Sequence, residues 1–297
     1  MGASDADVGL FEQQRRWLFG VACRMLGSAV EAEDVVQDAF IRWHQTDRSA
    51  IAVPQAWLTR VVTNLCVNRL ASARARRECY VGPWLPEPVL TGDGALGPLE
   101  TVEQRELVSM GVLVLLERLT PLERAVFVLR EAFGYSHGQI AEVVDVEEAH
   151  CRQLHRRAHQ HVSQARPRFA ADEALQRRIV ERFVAATVHG DLAGLERLLA
   201  EDVTSWADGG GTVTAARRPV TGKPKVLRHL LGMSARPEAG LVRAEILEVN
   251  GRPAALLWTA DVLAAVLAPE VAGDRVVGIR FVLDPAKLAF SAAQSGG

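Results

Sequence analysis

The segment between Gly82 and Pro98 constrains the fold more than any other part of this sequence, because it holds four prolines and four glycines within 17 residues. Proline lacks a backbone N–H and glycine favours turns, so this segment cannot sustain a helix or a central strand. We interpret it as a linker. A chain of 297 residues with 48% hydrophobic residues is long and apolar enough to form about two domains around such a linker.

The residues before the linker carry three helical signals. Apolar residues from Leu10 to Leu26 recur at the three- and four-residue spacing of an amphipathic helix. Ser28 and Glu31 have the spacing of a capping box and predict the start of a second helix. Pro54 predicts the start of a third helix, over about residues 55–77. This part is therefore expected to be a small helical domain.

Three further capping signals follow the linker. Residues 120–123 combine an N-cap threonine, a proline at the first helical position and a capping-box glutamate. Ser136 with Gln139, and Asp145 with Glu148, repeat the box spacing. The predicted helices are Pro121–Phe133, His137–Val144 and Val146–Gln164. Short helices joined by such a turn are typical of a DNA-binding helix-turn-helix, whose second helix enters the major groove.

After about Ala171 the pattern changes. Helices are predicted over Ala174–Val188, Leu192–Leu199 and Lys223–Met233. Strands are predicted over Val203–Ala207, Thr212–Ala216, Leu241–Val249, Ala254–Val262 and Val276–Leu283. Helices followed by β-type runs are typical of an α+β domain.

The expected fold is therefore mainly α in the N-terminal half, with two small helical domains of which the second is a helix-turn-helix, and α+β in the C-terminal part. The expected boundaries are a first helical domain at 8–80, an acidic linker at 81–104, the helix-turn-helix domain at 105–168 and the α+β domain at 172–290.

No apolar run is long enough to span a membrane. The four cysteines form no C-x-x-C pair, so we expect neither a disulfide scaffold nor a cysteine zinc site, and a cytoplasmic location.

The formal net charge of −2 conceals local asymmetry. Residues 60–77 and 150–168 each contain five arginines and no acidic residue. Residues 81–108 hold five acidic residues against one arginine, and residues 169–297 hold fifteen of each sign. One arginine-rich helix is often only a solvated face, but two such patches on separate helical units favour nucleic acid as a partner.

The last helix of the predicted helix-turn-helix has two distinct faces. Its polar face carries Arg152, His155, Arg156 and His159, and its apolar face carries Cys151, Leu154, Ala158 and Val162. Arginine suits guanine edges and phosphates, and Gln153 suits an adenine edge. His155 and His159 have the spacing of metal ligands, but no third ligand is evident and the neighbouring arginines repel a cation. We therefore expect no metal and no cofactor.

Together these segments resemble bacterial sigma factors of the extracytoplasmic-function group, within the sigma-70 family, over roughly residues 8–168. Residues 32–40 (AEDVVQDAF) resemble region 2.2, residues 56–77 resemble regions 2.3 and 2.4, and residues 119–127 (LTPLERAVF) resemble the start of region 4. Residues 84–88 (WLPEP), 208–211 (DGGG) and 284–288 (DPAKL) resemble motifs of a subgroup with a fused SnoaL-like domain. The resemblance implies a cone-shaped C-terminal domain and a function in transcription initiation.

The resemblance also implies roles for the charged patches. Region 2.2 docks on the β′ clamp helices of RNA polymerase, and the implied core-binding residues are Asp34, Gln37 and Asp38. Regions 2.3 and 2.4 melt and read the −10 element, and the implied residues are Arg60, Asn64, Asn68, Arg69, Arg74, Arg76 and Arg77. Region 4 reads the −35 element, and the implied residues are Arg152, Gln153, His155, Arg156 and Arg157. The implied partners are the RNA polymerase core, with its β′ and β subunits, and promoter DNA.

Four residues depart from the family pattern. Asp145 stands at a turn where glycine is common, but aspartate tolerates left-handed backbone and can cap the next helix. Glu147 and Glu148 favour a helix N-terminus, yet they lie where a DNA phosphate would approach. Thr212 replaces a lysine that usually follows the glycines of the extension motif, so any contact through that lysine is lost or moved.

The extension itself admits two interpretations. Some SnoaL-like proteins are cyclases or isomerases, and Trp206, Asp208, His229 and Trp258 could line a cavity for an unidentified small ligand. One aspartate and one distant histidine do not make a catalytic constellation, so we favour core tryptophans and a turn aspartate, and expect no enzyme activity.

Fusion to a sigma factor indicates a regulator acting in cis, in place of a separate anti-sigma factor. The expected regulatory interface comprises Trp84, Pro86, Pro88, Asp208, Gly209, Gly210, Gly211, Asp284 and Lys287. The main hypothesis is thus a promoter-specific initiation factor controlled by its C-terminal domain. The alternative is a SnoaL-like enzyme or small-molecule sensor fused to a DNA-binding tether.

Overall fold

The computed structural model describes residues 5–47, 51–78, 80–92, 94, 96, 102–163, 173–235 and 242–296. The chain divides into two compact units. The first comprises residues 1–78, 93–108 and 112–166, and the second comprises residues 79–92, 109–111 and 167–297. The second unit therefore includes two short pieces of the N-terminal half, one of them from the predicted linker.

Three long helices begin the first unit: α1 Asp5–Leu26, α2 Ala29–Gln45 and α3 Pro54–Glu78. The Ser28 side chain caps α2 by accepting a hydrogen bond from the Glu31 N–H at 3.1 Å, as the spacing predicts. The three helices pack on one another around the buried Phe11, Trp43 and Leu58.

Among the described residues, five shorter helices follow: α4 Val102–Leu107, α5 Met110–Leu116, α6 Pro121–Glu131, α7 His137–Val144 and α8 Glu148–Ser163. Complete capping boxes begin α6 at Thr120 and α7 at Ser136. Asp145 ends α7 with φ 56° and ψ 58°, the left-handed conformation that turns the chain into α8. Helices α6, α7 and α8 pack on one another, and the predicted helix-turn-helix is confirmed.

The two helical groups of the first unit also pack against each other. Helices α1 and α3 contact α6, and α3 contacts α7. The rings of Trp17 and Phe133 meet edge to face with centroids 4.5 Å apart. The hydroxyl oxygens of Thr59 and Tyr135 lie 3.2 Å apart. The long helices and the helix-turn-helix are thus held together in one unit.

The described residues of the second unit form a six-stranded sheet and four helices. Its elements are α9 Glu173–His189, α10 Leu192–Leu198, β1 Leu199–Asp208, β2 Val220–Thr221, α11 Lys223–Ser234, β3 Val242–Val249, β4 Arg252–Thr259, β5 Val262–Ala272, β6 Arg275–Val282 and α12 Pro285–Ser295. The strand order is β2-β1-β6-β5-β4-β3, with β1 and β6 parallel and the other pairs antiparallel. Side chains of α9, α10 and α11 form an apolar core with the sheet that includes Phe183, Leu195, Leu230 and Phe281.

The fold class is confirmed, but several individual elements differ from the predictions. Helices α4 and α5 and the two-residue strand β2 were not predicted. Residues 212–216 form no strand, because the N–H groups of Thr212 and Val213 turn back to the Gly209 carbonyl. Strand β5 was missed because it is rich in alanine and contains Pro269, which do not favour a strand. Helix α12 was missed because its alanines and serines show little periodicity, although Pro285 at its start is a helix signal.

Candidate functional site

The core-binding candidates lie along the exposed face of α2. Asp34 and Gln37 are exposed, and Asp38 is partly exposed. Val30, one turn before Asp34, and Ile41, one turn after Gln37, are 47% and 46% exposed. A helix face with carboxylates between exposed aliphatic side chains has the character of a protein-docking surface.

The −10 candidates follow α3 and differ in environment. Arg60 and Asn68 are exposed, and Asn64 is partly buried. Arg69 instead binds Asp38 at 3.0 Å and Asp34 at 3.3 Å, so one −10 candidate meets two core-binding candidates. Partial burial acts to lower the pKa of Arg69, but hydrogen bonds to Asp38 and Asp34 outweigh this effect and raise the pKa. Arg74, Arg76 and Arg77 lie in the last turns of α3, and their side chains are outside the described residues.

Helix α8 presents the two faces that the sequence predicts. The buried face consists of Cys151, Leu154, Ala158 and Val162. Arg152, Gln153, Arg156 and Arg157 are exposed. Arg152 pairs with Glu148, and Arg157 lies 3.8 Å from the buried Glu123 carboxylate. No ion pair among the described residues engages Arg156, so its guanidinium is available to a phosphate or a guanine edge.

His155 has a different environment from its arginine neighbours. Its Nε2 lies 2.8 Å from Glu131 Oε1 on α6, and its Nδ1 lies 3.4 Å from His137 Nε2 on α7. Burial, together with the cation of Arg130, lowers the pKa of His137. His155 therefore connects three helices and is partly buried, so the structure favours a role in holding the helix-turn-helix together.

The regulatory candidates of the extension meet at the end of β1, around Asp208, whose side chain is fully buried. Asp208 Oδ2 accepts hydrogen bonds from Leu85 N and Lys287 Nζ, each at 2.7 Å. Asp208 Oδ1 accepts from the Tyr80 hydroxyl at 2.6 Å and from Gly210 N at 3.0 Å. We call Asp208 and Lys287 the latch pair, and residues 80–92 the linker segment.

Lys287 lies on the first turn of α12 and also binds the linker segment. Its Nζ donates a hydrogen bond to Leu85 O at 2.6 Å and lies 4.5 Å from the ring centroid of Trp84. Burial lowers the pKa of Lys287, although the charge of Asp208 opposes this shift. The latch pair therefore binds both backbone polar groups of Leu85.

The glycine loop and the tail motif shape this site. Gly210 has φ +61°, and a Cβ added to it would lie 2.3 Å from Asp284 Oδ2. Asp284 caps α12 by accepting a hydrogen bond from Ala286 N at 3.0 Å. Position 210 thus requires glycine, and the tail motif begins the helix that carries Lys287.

The linker residues predicted for the interface are largely covered. Pro86 and Pro88 are buried, and Trp84 is partly buried. The Ser291 hydroxyl donates a hydrogen bond to Pro88 O. The C-terminal part of the second unit therefore binds the linker segment beyond Leu85 as well.

A further set of contacts, absent from the sequence predictions, holds the end of the linker segment. The Gln294 side chain accepts from Leu90 N at 2.8 Å and donates to Leu90 O at 3.2 Å. Asn250 Oδ1 accepts from Val89 N at 3.1 Å, and Asn250 N donates to Val89 O at 2.9 Å. Gln294 lies on the unpredicted helix α12, and no local sequence signal marks these residues.

None of the four residues suggested for a cavity lines the pocket around Glu270 and Arg280 or the one beside Gly209. Asp208 is occupied by the linker segment, the Trp206 ring lies 4.7 Å from Arg280, and the Trp258 ring lies 5.4 Å from Arg243. A pocket of the second unit is lined instead by residues that include Ser109, Gly111, Gln176, Arg252, Glu270 and Arg280. His229 is partly buried on α11 and does not line this pocket.

The described part of the chain contains neither a metal-binding cluster nor a membrane-spanning helix. No cluster of three or more histidine, cysteine, aspartate or glutamate residues there has an arrangement suited to a metal ion. No helix in the described ranges is long and apolar enough to cross a membrane.

The chain matches two protein-family descriptions: Sigma-70 region 2 over residues 10–76, and Sigma-70, region 4 over residues 109–162. The extracytoplasmic-function RNA polymerase sigma factor SigJ of Mycobacterium tuberculosis is 42% identical over 82% of this chain and 79% of its own length. A probable sigma factor of the same group and organism, SigI, is 31% identical over 100% of both chains.

A solved structure agrees with these matches. The crystal structure of Mycobacterium tuberculosis SigJ superimposes with a TM-score of 0.76 and 36% sequence identity, over 95% of this chain and 98% of the SigJ chain. Because SigJ matches in sequence and fold, and because both sigma-70 regions are present, this chain belongs to the extracytoplasmic-function RNA polymerase sigma factors of the sigma-70 family.

Proposed function

We propose that this sigma factor is restrained in cis by its C-terminal domain, which holds the linker segment between the two promoter-binding regions. The latch pair carries the proposal, because Asp208 and Lys287 bind the N–H and the C=O of Leu85. A buried backbone N–H or C=O without a hydrogen-bond partner is destabilising. The two bonds to Leu85 therefore stabilise the linker segment in its bound position.

Promoter recognition requires regions 2 and 4 to separate. The −10 and −35 elements lie roughly 25 base pairs apart, which is about 85 Å of duplex at 3.4 Å per base pair. In the first unit, however, Thr59 of region 2 lies 3.2 Å from Tyr135 of region 4, and Trp17 packs on Phe133. This packed form is too short to reach both elements, so these contacts must break before initiation.

The C-terminal unit opposes that separation because it holds the chain at two places. One is the linker segment, and the other is Ser109–Gly111, at the start of region 4. Gly111 lies against the ion pair of Glu270 and Arg280. A unit of about 150 residues is roughly 40 Å across, so two points held on it stay close together.

We also propose that control in cis takes the place of a separate anti-sigma factor, and that the C-terminal domain is not an enzyme. The full use of the Asp208 side chain supports the second statement. All four of its side-chain hydrogen bonds hold the linker segment, its own loop or Lys287, so this carboxylate is not available as an acid or a base. With polymerase and promoter DNA as partners, the protein acts in the cytoplasm.

Run-off transcription with purified core polymerase tests the restraint. Lys287→Met removes the cation of the latch pair and keeps most of the side-chain volume. Lys225→Met, on the exposed face of α11, is the matched control. At equal, subsaturating concentrations we expect more promoter-dependent transcript from Lys287→Met than from the wild-type chain, and no change in the control. A transcript yield from Lys287→Met at or below the wild-type level, with the linker segment released, contradicts the restraint.

A further inference from the structure

Arg69 lies among the −10 candidates of α3, yet all its hydrogen-bond acceptors are on α2. Its Nη2 is 3.0 Å from Asp38 Oδ2, and its Nη1 is 3.3 Å from Asp34 Oδ2. Nη1 also approaches the backbone oxygen of Glu31 at 3.5 Å. One guanidinium therefore spans a full turn of the helix that carries the core-binding candidates.

The environment of Arg69 is unsuited to DNA phosphate. Its side chain is only 28% exposed, and two carboxylates lie within 3.3 Å. These negative charges repel a phosphate, which would have to displace both to reach the guanidinium. Arg60, on the same helix, is exposed, and no ion pair within the described ranges occupies it. Arg60 thus has the environment of a phosphate contact, and Arg69 does not.

Arg69 also orients the two carboxylates that α2 presents to a partner. Asp34 and Asp38 are four residues apart on a helix, where like charges repel each other. Arg69 offsets this repulsion, and its rigid fork binds one oxygen of each carboxylate. The side chains of Asp34 and Asp38 remain 62% and 45% exposed, so both are held in place while accessible.

We propose that Arg69 is a positioning residue of the polymerase-binding surface and not a DNA contact. It holds Asp34 and Asp38 in one arrangement before the polymerase arrives, which lowers the entropy cost of ordering them in the complex. The partner surface is then basic, to match the two carboxylates. This proposal rests on the core-binding role of α2 and is independent of the latch pair.

Two measurements on the full-length chain distinguish positioning from DNA contact. The first is the dissociation constant for core polymerase, from the fluorescence anisotropy of a labelled chain. The second is the salt dependence of promoter binding by holoenzyme, with core saturated by the chain. The variants are Arg69→Ala and Arg69→Lys, and Arg60→Ala is the matched control on the same helix.

We expect Arg69→Ala to weaken core binding roughly five-fold, the size of a coupling between contacting charged side chains. Arg69→Lys should recover part of this loss, because lysine keeps the charge without the fork. Neither Arg69 variant should change the salt slope of promoter binding. Arg60→Ala should leave core binding unchanged and reduce the salt slope by about one. Asp38→Asn combined with Arg69→Ala should cost less than the sum of the two single changes, because Arg69 acts through Asp38.

Normal core binding by Arg69→Ala, with the salt slope reduced by about one, overturns the proposal and assigns Arg69 to DNA. If circular dichroism shows that Arg69→Ala loses helical structure, Arg69→Gln takes its place in the same two measurements. Glutamine keeps part of the aliphatic side chain and an N–H donor. If Asp34→Asn and Asp38→Asn both bind core as tightly as wild type, the core-binding role of α2 fails and this proposal fails with it. That outcome leaves the Lys287→Met experiment unaffected.

Discussion

Asp208→Asn should release the linker segment while the sheet remains folded. Asparagine keeps one oxygen, which can still accept from Tyr80 and Gly210, but its NH2 group then faces the two donors Leu85 N and Lys287 Nζ. Two hydrogen bonds to a charged group are lost, at about 1.5–3 kcal/mol each, or roughly 3–6 kcal/mol in all. Breaking a buried ion pair by removing one partner costs a similar amount, about 3–5 kcal/mol.

This loss is large compared with the stability of a domain, which is typically about 5–15 kcal/mol. The chain can avoid most of the cost if the linker segment leaves the site and lets water reach Lys287. Hydrogen–deuterium exchange measures this release directly, because the Leu85, Val89 and Leu90 N–H groups are all bound in the wild-type chain. We expect peptides from residues 80–92 to exchange at least a hundredfold faster, since about 2.7 kcal/mol corresponds to that factor.

Strand β6, residues Arg275–Val282, is the internal reference, because it is hydrogen-bonded on both sides within the sheet. Its protection should stay near the wild-type level. Unchanged protection of residues 80–92 in Asp208→Asn refutes the reasoning, because the latch pair would then contribute nothing to holding the linker segment. Equal loss of protection in residues 80–92 and β6 also refutes it, because the whole unit would then unfold together.

Three further predictions concern stability. Burial, with neighbouring cations, lowers the pKa of His137 below 6.5, so the unfolded chain binds this proton more readily and the first unit loses stability as pH falls through about 6.5. His137→Gln should reduce the loss between pH 7.5 and 5.5 in urea unfolding, and an equal loss in both chains would contradict this. Gly210→Ala should lower the melting temperature of the second unit, because its φ of +61° is unfavourable for alanine and the new Cβ meets Asp284, whereas Gly232→Ala, with open space around it, should not. Asp145→Val should destabilise the helix-turn-helix by about 1–2 kcal/mol, because a β-branched residue resists the left-handed conformation, and Asp145→Gly should be tolerated; similar unfolding midpoints for both would argue against this.

The helix starts could be predicted because capping is local. Ser28, Thr120 and Ser136 each lie within three residues of the group that they cap, so their signals survive in a short window of sequence. The pairing of β5 with β4 and β6 depends on distant residues and on burial. The alanines of β5 fit a buried sheet, but alanine does not favour a strand, so the sequence of β5 does not predict one.

The site was accessible from sequence only in part. Resemblance to known motifs led to Asp208 and Lys287, but the two are 79 residues apart, and Leu85 is 123 residues from Asp208. The bonded groups of Leu85 belong to the backbone, and every residue except proline carries the same N–H and C=O, so no pattern in the sequence could reveal them. For the same reason the pairing of Arg69 with Asp34 and Asp38, more than 30 residues away, emerges only from the packing of α3 on α2.

Hydrogen–deuterium exchange of residues 80–92 in two states tests the central claim most directly. The states are the free wild-type chain and the same chain in an open complex with core polymerase and promoter DNA. If the C-terminal domain restrains initiation by holding the linker segment, the Leu85, Val89 and Leu90 amides are protected in the free chain and lose that protection in the open complex. Full protection of these amides in a transcribing complex would contradict the account, because initiation would then proceed with the latch pair closed.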